Sequence, residues 1–385
     1  MLHQLANDGV SNMGDKVAGC YIPRADFGYT AHPKPRDRRI FLLQVLFAFL
    51  ERGNDEWNCT LPMNFIDAAT IRKRLDWPTM IAALERALQM DIHVPVRVNH
   101  RIEVPGMAAG SLLLMPAWQV GEKIGVKVVT VMPGKESRSV SAVYLLFDGV
   151  SGVPLAIMEG EELTARRTAG ASALAARYLA RHDAKHLLMI GSGRQSAGLV
   201  AAHASVRPIE RVTLWSRTAV QAEHAAKMHR AAGIDARATD DLETAVREAD
   251  IVSCATLSTT AIVRGEWLRP GTHLDLVGAF KADMRETDDE AMRRAHCVVV
   301  DERAAALTEG GDVVLALASG AIGPDKIAGD LRDLVLGNIK GRSSDDDITV
   351  FKSVGFALED LAAAKAVYDG ELHGAPAGHS AAIEH

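Results

Sequence analysis

The apolar run Leu187-Leu188-Met189-Ile190 leads straight into Gly191-Ser192-Gly193-Arg194-Gln195-Ser196 and then into a helical pattern. In a strand–loop–helix unit of this kind the first glycine permits a tight turn and the second lets the backbone approach a pyrophosphate. The helix N-terminus then presents free amide donors. Ser196 stands where a third glycine is usual and is still small enough for close helix–strand packing. The loop therefore points to a bound dinucleotide rather than to a merely structural glycine turn. An acid at the end of the next strand would bond a ribose 2′-hydroxyl and repel a 2′-phosphate, but the residues there are Trp215-Ser216-Arg217-Thr218. A hydroxyl and a guanidinium suit a phosphate, so NADPH is the expected cofactor, with NADH as the alternative. Two further segments are expected at the cofactor: Cys254, Ala255 and Thr256 after a strand, and Ser353 and Gly355 opening the last helix. A plain strand end and a helix N-cap are the competing readings of these two.

The N-terminal half carries cations that are hard to explain structurally. Arg97 ends the β-like run Val94-Pro95-Val96-Arg97, and Lys127 sits inside Ile124-Gly125-Val126-Lys127-Val128-Val129 with apolar residues on both sides. Arg166 and Arg167 precede the small-residue run Thr168-Ala169-Gly170-Ala171-Ser172-Ala173. A lysine in an apolar strand either lies on a solvated face or points into a pocket. Three of these cations beside a cofactor cleft would suit a carboxylate substrate, since desolvated charge-assisted bonds are the strong ones.

The elements that must position these groups divide the chain into two styles. From Asp67 two short helices follow, with Asp67 and Asp76 as N-caps and Pro78 at the first helical position of the second. Next come β-like runs at 94–102, 112–117, 124–132, 140–147 and 154–158, broken by Pro105-Gly106, Pro133-Gly134 and Asp148-Gly149. A long helix over 161–181 closes this strand-rich lobe. Short apolar strands at 186–190, 211–215, 251–254, 273–277 and 297–300 then alternate with helices, the pattern of a parallel doubly wound sheet. The fold class is thus α/β, a Rossmann sheet inserted in a mixed α+β lobe. The expected organisation is 63–177 plus 322–371 for the substrate lobe, 178–321 for the nucleotide lobe, an atypical extension over 1–62 and a tail over 372–385. Met63 is read as a candidate natural start.

Composition narrows the partners. The 385 residues are 48% hydrophobic and carry a net charge of −6 from interspersed acids and bases, which disfavours a nucleic-acid partner. The apolar run 40–50 is too short to span a bilayer and lacks a following cleavage site, so no membrane partner is expected. Cys20, Cys59, Cys254 and Cys297 form no CxxC pair and no zinc spacing, so no metal is expected and a reducing cytoplasm fits.

Taken together, Gly125-Val126-Lys127, Leu163-Thr164-Ala165-Arg166-Arg167-Thr168-Ala169, the Gly191 loop and Val350-Phe351-Lys352-Ser353-Val354-Gly355 resemble the ornithine cyclodeaminase/mu-crystallin family over about 63–370. The resemblance implies a homodimer and a substrate carboxylate held by Arg97, Lys127 and Arg167. Several activities occur in the family, so the resemblance alone leaves the reaction open. Its cyclodeaminases and alanine dehydrogenases carry a catalytic aspartate where alignment on Glu286 here places Phe280. Oxidising an amine needs a positioned base, which phenylalanine cannot be, whereas a protonated cyclic imine already attracts hydride. Asp283-x-x-Glu286, Thr213–Arg217, Ser253–Thr256 and Ser344–Gly355 are similar to the family's bacterial reductases of Δ1-pyrroline-2-carboxylate and Δ1-piperideine-2-carboxylate. The expected reaction is NADPH-dependent reduction of such an imine to L-proline or L-pipecolate, with Lys127 and Asp283 as the catalytic candidates. Asp283 is alternatively the N-cap of a helix over 284–290. The competing functions are an ornithine cyclodeaminase, an alanine dehydrogenase, and a non-catalytic protein that stores NADPH and a small ligand.

Overall fold

The computed structural model describes residues 64–132 and 140–374, with side chains described to residue 370. The extension over 1–62, Met63, the Pro133-Gly134 turn and the end of the tail lie outside the described residues. The first part comprises β1 (Asn64–Ile66), α1 (Ala68–Arg74), α2 (Trp77–Gln89), β2 (Ile92–His93), β3 (Val98–Ile102), β4 (Gly110–Gln119), β5 (Lys123–Val131), β6 (Val140–Asp148), β7 (Pro154–Glu159) and α3 (Gly160–Leu179). Asp67 and Asp76 cap α1 and α2 by accepting from the amides of Thr70 and Thr79, as their positions before the helical patterns predict. The strands form one sheet in the order β1-β7-β6-β5-β4-β2, with β3 also on β4. Every pairing is antiparallel except β1 with β7.

The second part comprises β8 (His186–Ile190), α4 (Arg194–Ala204), β9 (Arg211–Trp215), α5 (Ala219–Ala231), β10 (Ala236–Ala238), α6 (Leu242–Glu248), β11 (Ile251–Cys254), β12 (His273–Leu276), α7 (Asp289–Arg294), β13 (Cys297–Val300), α8 (Arg303–Glu309), α9 (Gly311–Ala318), β14 (Ile327–Asp330), α10 (Leu331–Val335), β15 (Thr349–Lys352) and α11 (Ala357–Gly374). Its eight strands are all parallel, in the order β10-β9-β8-β11-β12-β15-β13-β14. This is an α/β fold with a doubly wound parallel sheet. The sheet does not stop at residue 321, where the expected boundary lies, because β14 and β15 complete its far half. Chain order reverses between β8 and β11, which opens a crevice at their carboxyl ends where such sheets take ligands.

Helix α3 joins the two sheets. Its run from Arg167 to Ala176 is buried, and the small residues let neighbouring helices come close: Gly170 meets Met80 of α2, and Ala169 meets Gly198 of α4. Buried Asp275 on β12 accepts from Ser172 of α3 at 2.9 Å and Ser253 of β11 at 2.7 Å, and lies 3.1 Å from His203 Nε2 of α4. That carboxylate fixes α3 against the parallel sheet and so sets the height of Arg167 over the crevice. Helix α11 is buried along most of its length and returns to pack on α2, α3, β4 and β5.

Candidate active site

The phosphate loop follows β8 directly. Gly191 has φ +115° and donates to the Trp215 carbonyl, and a Cβ there would lie 2.6 Å from the Ala255 carbonyl, so only glycine fits. At Gly193, by contrast, a Cβ would meet no protein atom within 4 Å, which leaves an open cradle before the first amides of α4. Ser196 is buried and its hydroxyl returns to the Gly193 carbonyl at 2.8 Å. Arg194 pairs with Glu161 of α3. The loop residues thus fit a pyrophosphate.

At the end of β9, Ser216 is buried and bonds the Thr218 carbonyl at 2.9 Å, while Thr218 caps α5. Arg217 is exposed, with no ion-pair partner among the described residues.

A cavity of about 300 Å³ opens between the ends of β8, β11 and β12 and the start of α3. Thr164, Arg167, Gln195, Thr256, Phe280 and Gly355 are among its lining residues. Ala255, Thr256, Ser353 and Gly355, all expected at the cofactor, reach it; Cys254 does not. The Cys254 side chain is packed in the apolar core, where burial raises its thiol pKa well above the usual value. Gln195 Oε1 is buried without a hydrogen-bond partner among the described residues. An unsatisfied acceptor beside the open Gly193 cradle is what a polar cofactor edge would complete.

The three expected substrate cations separate. Arg167 lines the cavity, donates from Nη1 to Glu359 Oε2 at 2.5 Å and from Nε to Asp360 Oδ1 at 3.1 Å. Lys127 stands one layer behind, 2% exposed, with Nζ 2.9 Å from Asp360 Oδ1 and 3.5 Å from Thr164 Oγ1. Burial, then Arg167, draw its ammonium pKa down to about 8 against the pull of Asp360. Arg97 lies across the Gly355 turn, donating to the Gly355 carbonyl at 2.7 Å and pairing with Glu309 at 3.2 Å. It lines a separate cavity of about 430 Å³. Arg166 is structural: it lies 4.5 Å over the Trp77 ring and bonds the Leu75 carbonyl.

The turn at Gly355 is held by Asp301 at the end of β13, whose Oδ2 accepts from Ser353 Oγ and the amides of Val354 and Gly355. Gly355 has φ +79°, and a Cβ there would overlap the Arg167 guanidinium. Ser353 therefore braces this turn through Asp301 rather than capping α11.

Asp283, expected as a catalytic candidate, lies away from the cavity. It is exposed in the short turn closed by Met284 N on the Lys281 carbonyl, and it lines neither cavity. Nor does it cap a helix: the helix starts at Asp289 with Asp288 as its N-cap. The group at work in this segment is Glu286, fully buried, whose Oε1 accepts from Thr256 N and Oγ1 and whose Oε2 accepts from Gly278 N. It ties the two strand ends that floor the cavity. Burial lifts its pKa to about 7 despite Lys352. Sequence reasoning used Glu286 as an alignment anchor and as part of the Asp283-x-x-Glu286 resemblance, gave it no role of its own, and missed Glu359, Asp360 and Asp301 altogether. The available signal was a Glu-Asp pair at the start of an otherwise alanine-rich apolar helix. Among the described residues no group of three His, Cys, Asp or Glu side chains is arranged to hold a metal, and no helix is long and apolar enough to cross a membrane.

The chain is similar along most of its length to several known proteins. A protein of Paracoccus denitrificans named Δ1-pyrroline-2-carboxylate reductase is 40% identical over 301 residues, 77% of this chain and 93% of its own. The structure of Thermococcus litoralis Δ1-pyrroline-2-carboxylate reductase in complex with NADH and L-proline superposes with a TM-score of 0.75 at 35% identity, covering 81% of this chain and 98% of that one. An archaeal alanine dehydrogenase dimer with bound NAD gives 0.74 at 29%, covering 81% and 96%. Residues 64–374 match the profile of the ornithine cyclodeaminase/mu-crystallin family, which spans both sheets and every site residue described above, and the chain belongs to that family.

Proposed function

We propose that this chain is an NAD(P)H-dependent oxidoreductase that reduces a cyclic ketimine carboxylate, Δ1-pyrroline-2-carboxylate or Δ1-piperideine-2-carboxylate, to L-proline or L-pipecolate. The observation that carries the reading is a cavity at the switch point of the parallel sheet with a buried arginine on one wall and Phe280 on another. The relatives named for pyrroline-2-carboxylate reduction support the same chemistry.

Reduced nicotinamide, when bound, supplies the hydride that the imine carbon accepts. Arg167 takes the substrate carboxylate, with Thr164 beside it and Lys127 behind. This fixes the ring and offsets the repulsion between the carboxylate and incoming negative charge. Arg97 supports the site from the far side by holding the Gly355 carbonyl. Because the iminium nitrogen arrives protonated, no side chain must remove a proton, and an apolar ring at 280 is compatible with turnover. Phe280 cannot supply the base that amine oxidation requires, which argues against the alanine dehydrogenase and cyclodeaminase alternatives.

NADPH is the preferred cofactor on the ground that Arg217 is exposed at the end of β9 and the segment Trp215-Ser216-Arg217-Thr218 carries no acid. The working unit is a homodimer, and buried free thiols at Cys254 and Cys297 suit a reducing cytoplasm. The test is NADPH and NADH oxidation with both imines, run beside ornithine and alanine with NAD. Turnover of either imine with a higher kcat/KM for NADPH is expected. Ammonia release from ornithine would overturn the reading, and tight NADPH binding without turnover of either imine would favour a storage role.

A further inference from the structure

The two cations proposed for the substrate carboxylate are already neutralised within the protein. Lys127 and Arg167 face Asp360 and Glu359, and all four side chains are buried. Asp301, also buried, acts on Arg167 and Glu359 from the end of β13. With Glu359 ionised, three carboxylates would surround two cations before any ligand arrives. Adding a fourth negative charge to a dry cluster is costly unless one of the residents is neutralised.

The hydrogen bonds identify which one. Asp301 accepts three donors across the Gly355 turn, and Asp360 serves both cations. Glu359 Oε1 and Asp360 Oδ2 are both buried without a hydrogen-bond partner among the described residues, but Asp360 Oδ2 lies 2.8 Å from the Lys127 ammonium, whereas Glu359 spends only Oε2 on a cation, Arg167. As a neutral acid it would keep an acceptor for Arg167 and release that guanidinium's remaining donors and charge for a ligand.

Resting on the imine-carboxylate reading, we infer that the substrate carboxylate binds at Arg167 with Glu359 in its neutral form, so that binding at alkaline pH is accompanied by uptake of one proton at Glu359. Glu359 is then a positioning residue that sets the charge of the site, and Asp360 is the fixed anion that holds both cations. The groups facing Glu359 are Arg167 from α3, Lys127 from β5, Asp301 from β13 and Asp360 on its own helix, with the buried Tyr144 hydroxyl of β6 near Asp360. Burial pushes the Glu359 carboxyl up to about 8, with Arg167 opposing and Asp301 adding to the rise. The carboxyl is thus poised to change state near neutral pH.

The experiment is isothermal titration calorimetry of the full chain saturated with NADP+, titrated with pyrrole-2-carboxylate, a flat ring that brings a carboxylate and no ammonium. Buffers of different ionisation enthalpy count the protons. Uptake should approach one proton at pH 9 and be small at pH 7, and because binding consumes a proton the Kd should rise about tenfold between them. In Glu359→Gln the proton uptake should fall sharply and the Kd should keep only the rise with pH that loss of the Lys127 ammonium above about 8 imposes. If the proton instead went to Lys127, removing a neighbouring anion would preserve or enlarge the uptake, and that result overturns the inference. So does binding with no proton uptake by the unmodified chain. Infrared difference spectra of the unmodified chain give a check that needs no variant: ligand should raise a protonated-carboxyl band that shifts with labelled glutamate, and its absence overturns the assignment. Failure of pyrrole-2-carboxylate and L-proline alike to bind overturns the functional reading itself.

Discussion

Lys127 shows how far a single residue type can be read and where reading stops. A lysine bracketed by valines and isoleucine is conspicuous, but alternation alone leaves its direction open; the buried Asp360 partner decides it. With Thr164 and Arg167 between it and the cavity, Lys127 acts on the carboxylate through charge. Lys127→Met should therefore lower kcat/KM by about 2–4 kcal/mol, mostly through KM, and wild-type-like kinetics would remove Lys127 from the site. The sign of its pH effect follows from its lowered pKa: the ammonium is present below about 8 and lost above it, so kcat/KM should fall through that range as pH rises. Arg217 is a separate case because it is exposed and reads only the cofactor. Arg217→Ala should cost about tenfold or more in kcat/KM for NADPH while sparing NADH, and equal losses with both would show that it reads no 2′-phosphate. Glu359 and Asp360 went unread for a physical reason: acids in the first turn of a helix are ordinary there, and a sequence displays charge without its partner.

At the scale of elements, local signals were legible and long-range pairings were not. The strands 186–190, 211–215, 251–254 and 297–300 coincide with β8, β9, β11 and β13, since each is a short apolar run between turn or helix signals. Strands β14 and β15 escaped because four-residue runs far apart in sequence reveal nothing of a sheet order that seats β15 between β12 and β13. The same blindness misplaced Asp283, whose role depends on where the chain turns after β12. Two predictions belong here. Gly355→Ala places a side chain at φ +79° against Arg167; the strain of about 1–2 kcal/mol should lower Tm, and displacement of the guanidinium should cut kcat/KM more than tenfold. Unchanged kinetics with a lowered Tm would separate the turn from Arg167. Glu286→Gln leaves one oxygen where three donors converge, so one of the amides of Thr256 and Gly278 is orphaned. Denaturant unfolding should show a loss of about 1–3 kcal/mol.

The whole molecule poses one further question, the second face of the antiparallel sheet. Its inner face carries Met115, Ala117, Lys127, Tyr144, Leu146, Ala156 and Met158, buried beneath α1, α2, α3 and α11. The registers place Leu112, Leu114, Pro116 and Trp118 on the opposite face, continued by Ile124, Val126 and Val128, then Val143, Leu145 and Phe147, and then Ile157 and Phe65. An antiparallel sheet facing water alternates apolar and polar residues, and this one is apolar on both sides. Phe65 is 64% exposed and the core of the stripe is only half-buried, an apolar area that single soluble chains seldom leave uncovered. A second copy is the occupant that suits a self-complementary, nearly uncharged surface, since a two-fold axis brings the same patch against itself. Light scattering after size exclusion should give twice the chain mass of 41.4 kDa. Val126→Lys at the middle of the stripe would bury two unpaired ammonium groups per dimer and should shift the mass toward one chain. Because Lys127 is the next residue on β5 and points to the other face, loosening the pairing should also slow turnover. A monomeric wild type, or a Val126→Lys variant that keeps both its mass and its activity, would remove this face from the assembly.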